Sequence, residues 1–130
     1  MSIEKAFRTS LAANVPQAVD GVYYRAVPQR QPITQGMVII RPVVERPTYA
    51  LDGSVKYAEV SMQVDCWGRT WDDVAAVVGG IRGAIEAYTG LMGTIHVHAV
   101  FLEGMRDLDD PELPDFRRRV LDLAIWYREA

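Results

Sequence analysis

His96 and His98 are the only histidines in the chain, two residues apart. On a strand that spacing sends both imidazoles to one face, an arrangement a transition metal can exploit. A site needs more ligands, and Asp122 or Asp65 on neighbouring strands would have to supply them. No His-Glu-x-x-His pattern and no paired cysteines accompany the two histidines. Ordinary surface or interface histidines are therefore the plainer reading. The run Asp107-Leu108-Asp109-Asp110-Pro111-Glu112 has the carboxylates for calcium but lacks the glycine and closing glutamate of the hand-like loop. It reads as a solvated loop, or one facing a basic partner. Arg117, Arg118 and Arg119 alternate faces on a strand, so they make no single phosphate-binding patch, and ion pairs with the preceding acids account for them. Gly79, Gly80 and Gly83 fit neither a dinucleotide fingerprint nor a P-loop, and no nucleophile elbow surrounds a serine. The residues offer no catalytic set, and no cofactor or metal is expected.

Bulk properties narrow the class further. A chain of 130 residues, 49% hydrophobic, fits one domain over residues 1–130 with a modest core. A formal charge of −3 argues against general affinity for nucleic-acid phosphates. The single cysteine, Cys66, forms no intramolecular disulfide and lies among apolar strand positions, where a small buried hydrophobe is expected. No apolar run approaches the ~20 residues that span a bilayer, and the N-terminus lacks a signal-peptide core. These features predict a soluble protein made in the cytoplasm, without a membrane partner.

The elements that position these residues centre on Glu59–Tyr88. Val60, Met62, Val64 and Cys66 alternate with Glu59, Ser61, Gln63 and Asp65, the pattern of a strand buried on one face. After Gly68, Arg69 and Thr70 the period changes. Trp71, Val74, Val78, Ile81, Ile85 and Tyr88 form one helical stripe, capped by Thr70 with Asp73 in the capping-box position and stopped by Gly90. Upstream, Ser2–Ala13 reads as a helix and Gly21–Arg25 as a short strand. Pro28–Gly36 reads as a loop, and Met37–Tyr49 and Val55–Trp67 as two long strands joined at Asp52-Gly53. Downstream, Thr94–Glu103 and Arg117–Arg128 are strands around a Met105–Asp115 loop. Internal repeats are not evident. The sum is an α+β fold: an antiparallel sheet of about four main strands with helices on one face.

Assembly is the better-supported use of such a fold. Trp67, Trp71 and Trp126 are large anchors, and Trp67 and Trp126 fall on the less apolar faces of their strands, which makes them candidate interface residues. Plain core packing is the alternative. The hairpin around Asp52 and Gly53 is long for so small a domain and can reach a neighbour. Pro42 suits an edge or a bulge, and an edge at Met37–Val44 invites cover by another chain.

The segment Gln63-Val64-Asp65-Cys66-Trp67-Gly68-Arg69-Thr70, the helix start Trp71-Asp72-Asp73-Val74-Ala75 and the ending Ile125-Trp126-Tyr127-Arg128-Glu129 resemble the tail-completion, or head–tail joining, proteins of long-tailed bacteriophages and gene-transfer particles. Nearly the whole chain takes part. The resemblance implies a tail-terminator-like fold in a virion. It also implies a ring, usually a hexamer, between the head connector and the tail tube protein. Such a ring ends tube growth and lets DNA pass through its lumen without sequence-specific binding. Six copies at −3 carry about −18 in a cyclic ring. Glu59, Asp65, Asp107, Asp109 and Asp110 are the candidates to line its lumen, where acidic groups would let DNA slide. The competing reading is a small metal- or ligand-binding α+β enzyme using His96 and His98.

Overall fold

Ser2 opens the first helix: its hydroxyl accepts a hydrogen bond from the Lys5 N–H at 3.2 Å, one of the donors a helix start leaves without a partner. The computed structural model describes residues 2–24, 36–49, 55–86, 88–108 and 116–129. Helix α1 spans Ile3–Asn14 and buries Ile3, Ala6, Phe7 and Leu11, the three- and four-residue spacing of one apolar stripe. Arg8 Nε donates to the Val22 carbonyl at 3.0 Å and ties α1 to strand β1, Val22–Tyr24.

Strands β2 (Gly36–Tyr49) and β3 (Val55–Gly68) form the expected long hairpin, paired antiparallel from Gly36–Gly68 to Tyr49–Val55. The register slips between Pro42 and Val44, so the proline sits at a bulge. Helix α2 follows at once as Trp71–Ile85, with the Thr70 hydroxyl accepting from the Asp73 N–H. Gly68 permits this tight corner, because a Cβ there would lie 3.0 Å from Asp73 Cβ. The helix buries Val74, Val77, Val78, Ile81 and Ile85, each contributing about 1.5–3 kcal/mol by leaving water. It ends at Ile85, five residues before the expected stop. Gly90, at φ +126°, instead opens the short strand β4, Gly90–Met92, which the sequence reading did not anticipate. Strand β5 runs Ile95–Leu108 and β6 Arg117–Glu129.

The sheet order is β1-β2-β3-β6-β5-β4. Strand β1 pairs parallel to β2, and all other pairs are antiparallel. The expected antiparallel sheet of about four main strands is thus a mixed, six-stranded one. Helix α1 touches both of its outermost strands, β1 and β4, so the sheet curls into a half-barrel. The order of elements also repeats: a helix, a short strand and two long strands occur twice, and the palindromic sheet order places the copies back to back. The sequence shows no such repeat because the two halves share element order and not residues.

Most buried side chains form one cluster. Both helices contribute to it, together with Val38, Ile40, Val60, Met62, Val64, Leu121, Leu123 and Ile125 of the sheet. A smaller group, Met37 and Ile39 with Tyr23, Trp67 and Phe116 against them, is separate. Met37 and Ile39 alternate with Val38 and Ile40 and so lie on the other face of the sheet.

Candidate assembly surfaces

Val64 and Cys66 point into the main core, so the strand period turns Asp65 to the opposite face. There it is 1% exposed, the one buried charged residue among those described. Its Oδ2 accepts from Arg118 Nη2 at 2.7 Å and from Arg41 Nη2 at 3.4 Å. One arginine comes from β6 and the other from β2, so the carboxylate links three strands. The Arg118 guanidinium also lies 5.2 Å from the centroid of the Trp67 ring, a cation–π contact. Asp65 Oδ1, Trp67 Nε1 and the Nε atoms of both arginines are buried without a hydrogen-bond partner among the described residues. Asp65, expected at a lumen wall, is neutralised inside the subunit.

The three tryptophans occupy different settings. Trp67 and Trp126 are half-buried and lie on the same face as Asp65, as the alternation predicts. Trp67 pairs with Arg118, and Trp126 with Glu59 eight residues back along β3. The two rings therefore sit roughly 27 Å apart along the ladder. Trp71, placed by its spacing in the buried stripe of α2, is 39% exposed. The Arg119 guanidinium stands 5.7 Å from its ring centroid and binds Asp107 at 2.6 Å. Asp107 itself belongs to β5, since that strand continues through the expected Met105–Asp115 loop as far as Leu108. Glu59 is half-buried. Asp52, Gly53, Asp109 and Asp110 lie outside the described residues.

A bulge in β5 falls at the histidine pair. The register slips between Val97 and Ala99, so His98 is the extra residue of the bulge while His96 pairs with Arg128. Beyond the slip, Val100 is buried and Phe101 is 55% exposed, whereas unbroken alternation from Ile95 and Val97 would bury Phe101. Among the described residues, no three His, Cys, Asp or Glu side chains gather as a metal site. Cys66 is buried, and burial, followed by the charge of Asp65, pushes its thiol up to about 12, against a smaller lowering by Arg119.

Exposed apolar side chains mark the outer long strands: Val43 and Val44 on β2, Phe101 and Met105 on β5. Between these strands a groove of about 330 Å³ crosses the sheet past Ser61, Gly104 and Asp122. A second groove, of about 460 Å³, runs between the end of α1 and the glycines of α2. The pairing of Asp65 with two arginines had no local signal in the sequence, whereas Pro42 did point to the bulge on β2.

The curled sheet thus holds one buried carboxylate, paired with two arginines, and leaves apolar side chains exposed on its outer long strands. The family model for tail completion protein gp17 matches residues 5–128. The chain belongs to that family, and it is a structural component of a virion tail. Among solved structures, 17 chains match. One, from the virion of a native gene transfer agent particle, has a TM-score of 0.67 at 15% identity over 99% of this chain and 96% of that one. It shows the same fold. No curated protein matches the sequence, and no helix among the described residues is long and apolar enough to cross a membrane.

Proposed function

We propose that this chain forms a ring, a hexamer, that caps the tail tube, ends its growth and joins the tail to the DNA-filled head. The family match over residues 5–128 carries this reading, and the fold shared with a chain of a gene transfer agent virion supports it. A ring needs subunits with two different complementary surfaces, and a sheet with two unlike margins meets that need. The partners are further copies of the chain, a tail tube protein and a head connector, with DNA passing through the lumen. With Asp65 buried, Glu59, Asp107, Asp109 and Asp110 remain to line the channel, where like charge keeps DNA from adhering. The β2–β3 hairpin reaches a neighbouring subunit or the tube, with Asp52 and Gly53 proposed among the contact residues.

The test is to mix purified protein with tail tubes and image them by negative stain, alongside particles lacking the gene. Annular caps on tubes of uniform length, and overlong tubes without attached heads when the gene is deleted, are the expected results. Normal joined particles from the deletion would sink the proposal.

A further inference from the structure

Two surfaces on opposite sides of the chain carry side chains that its own packing does not use. The first is the groove of about 460 Å³ between the end of α1 and the side of α2, lined by Asn14, Pro16, Gln17, Gly79, Gly83 and Tyr88. On α2, Asp72, Ala76, Gly79 and Gly83 are exposed. They recur at steps of four and three, so they form one stripe, turned away from the buried Val74, Val78, Ile81 and Ile85. Glycine is a poor residue for a helix interior. A Cβ on Gly79 or Gly83 would nevertheless meet nothing within 4 Å, so no neighbour inside the chain requires their small size.

The second surface is on the sheet. Phe101 pairs with Ala124, and Ala99 with Trp126. Ala124 alternates with Leu123 and Ile125 of the main cluster, so these four residues stand on the face turned away from it. Phe101 is 55% exposed and rises beside the small Ala99 and Ala124, with the half-buried Trp126 diagonally across from it. Leu91, 58% exposed, extends the patch: it pairs with His96, and His96 with Arg128.

We propose that the groove between α1 and α2 of one copy receives Phe101 of the next, so that the outer face of each subunit stacks on the helices of its neighbour. This contact rests on the ring reading above and supplies its subunit interface.

Three observations select a second copy as the occupant. The first is shape. Phe101 on a floor of alanines is a knob, the glycine-lined groove is a hole, and interface anchors are aromatic side chains seated in such pockets. The lengths agree as well. From the row of Leu91 to the row of Phe101 the patch runs about 14 Å along the strands, and the stripe from Asp72 to Gly83 runs about 16 Å along the helix. The second is charge. Asp72 ends the stripe and Arg128 stands in the patch, both exposed and neither with an ion-pair partner among the described residues. The third is closure. The two surfaces are unlike and lie on opposite sides of the sheet, so copies join head to tail. An open row leaves one groove and one Phe101 unused, whereas a ring uses them all.

The experiment fills the hole and removes the knob. Full-length protein carrying Gly83→Leu is compared with the unaltered protein by thermal melting and by negative stain with tail tubes. A Cβ at this position meets nothing and leucine suits a helix better than glycine. The thermal transition should therefore stay or rise, while annular particles fall at least tenfold. Phe101→Ala should lower annular particles to the same degree with the transition unchanged. A chain carrying Asn14→Cys and Ala99→Cys, treated with a short bis-maleimide in the presence of tubes, should give a ladder of crosslinked chains up to the ring number, with none from either single variant. The native Cys66 is buried and stays out of the reaction. Normal yields of annular particles from both Gly83→Leu and Phe101→Ala, with no ladder, would overturn the interface and leave the ring reading standing. No annular particles from the unaltered protein would overturn both. A crosslink from the Ala99→Cys chain to the tube protein in place of the ladder would seat the tube on the patch, and so overturn the proposal.

Discussion

Arg118 reaches Asp65 diagonally across the sheet: the ladder sets Asp65 opposite Val120 and Arg118 opposite Trp67, yet Arg118 Nη2 lies 2.7 Å from Asp65 Oδ2. The contact joins the two halves of the repeated fold at their seam, because β3 closes the first half and β6 the second.

Removing that charge should weaken the whole sheet. Taking away one member of a buried pair typically costs about 3–5 kcal/mol. Here the arginine side chains are 23% and 43% exposed, so water offsets part of the loss. Asp65→Asn is expected to lower unfolding free energy by about 2–4 kcal/mol, read from denaturant midpoints at constant slope. Gln63→Ala, two residues away on the same face, should change it by less than about 1 kcal/mol. Equal effects from the two would mean that the diagonal pair contributes little.

The Asp65 pairing also marks where sequence reading stops. Strand β3 was legible because Val60, Met62, Val64 and Cys66 alternate with polar residues along it. Helix α2 was legible from the change of period and the cap at Thr70. The partner of Asp65 was not, because Arg118 lies 53 positions later and no local pattern links them. The bulge at His98 was hidden for a similar reason: it is fixed by the register against β6, so Ile95-His96-Val97-His98-Ala99 alone reads as unbroken alternation. Trp71 fits the helical period, but it is the first residue of α2 and overhangs the sheet, so periodicity misplaced it in the core. Strand β4 is three residues long, too short for any period to show.

The glycines of α2 divide into two kinds. A Cβ on Gly79 or Gly83 would meet nothing within 4 Å, whereas one on Gly80 would lie 2.4 Å from Gln17 Oε1 and 3.0 Å from Val15 Cγ1. Alanine at Gly79 should stabilise the isolated chain by up to about 1 kcal/mol through helix propensity. That raises its thermal midpoint by roughly 3–5 °C for a domain of this size. Gly80→Ala should gain less or lose, since Val15 is buried and must shift. Identical midpoints for the two variants would show that the contact with α1 is not close.

A metal enzyme and a structural subunit respond differently to loss of the histidines. His96→Ala together with His98→Ala should leave tail completion by the full particle within about twofold of normal, as surface substitutions usually have small effects. Elemental analysis of the unaltered protein should show less than about 0.1 zinc, nickel or copper per chain, since the described residues gather no ligand set of the kind such sites require. A stoichiometric metal that disappears in the double variant, with loss of infectious particles, would restore the competing reading.

Cys66 makes stability sensitive to alkali. Its thiol ordinarily titrates at 9.0, and burial raises that to about 12 in the folded chain. Above pH 9 the unfolded chain releases this proton while the folded chain keeps it, so the unfolded state binds fewer protons and stability falls as pH rises. The loss begins near the ordinary value and is complete at about pH 12, amounting to about 4 kcal/mol at most. Cys66→Ala removes this term while losing about 1–2 kcal/mol of packing at neutral pH. The stability gap between the two proteins should therefore narrow and then reverse as pH climbs from 8 to 11, as measured by denaturant midpoints at each pH. A thiol reagent should leave the native protein unlabelled at pH 8 over hours and label it stoichiometrically once unfolded. A constant gap across that pH range, or rapid native labelling, would place the sulfur at the surface and contradict its position in the core of β3.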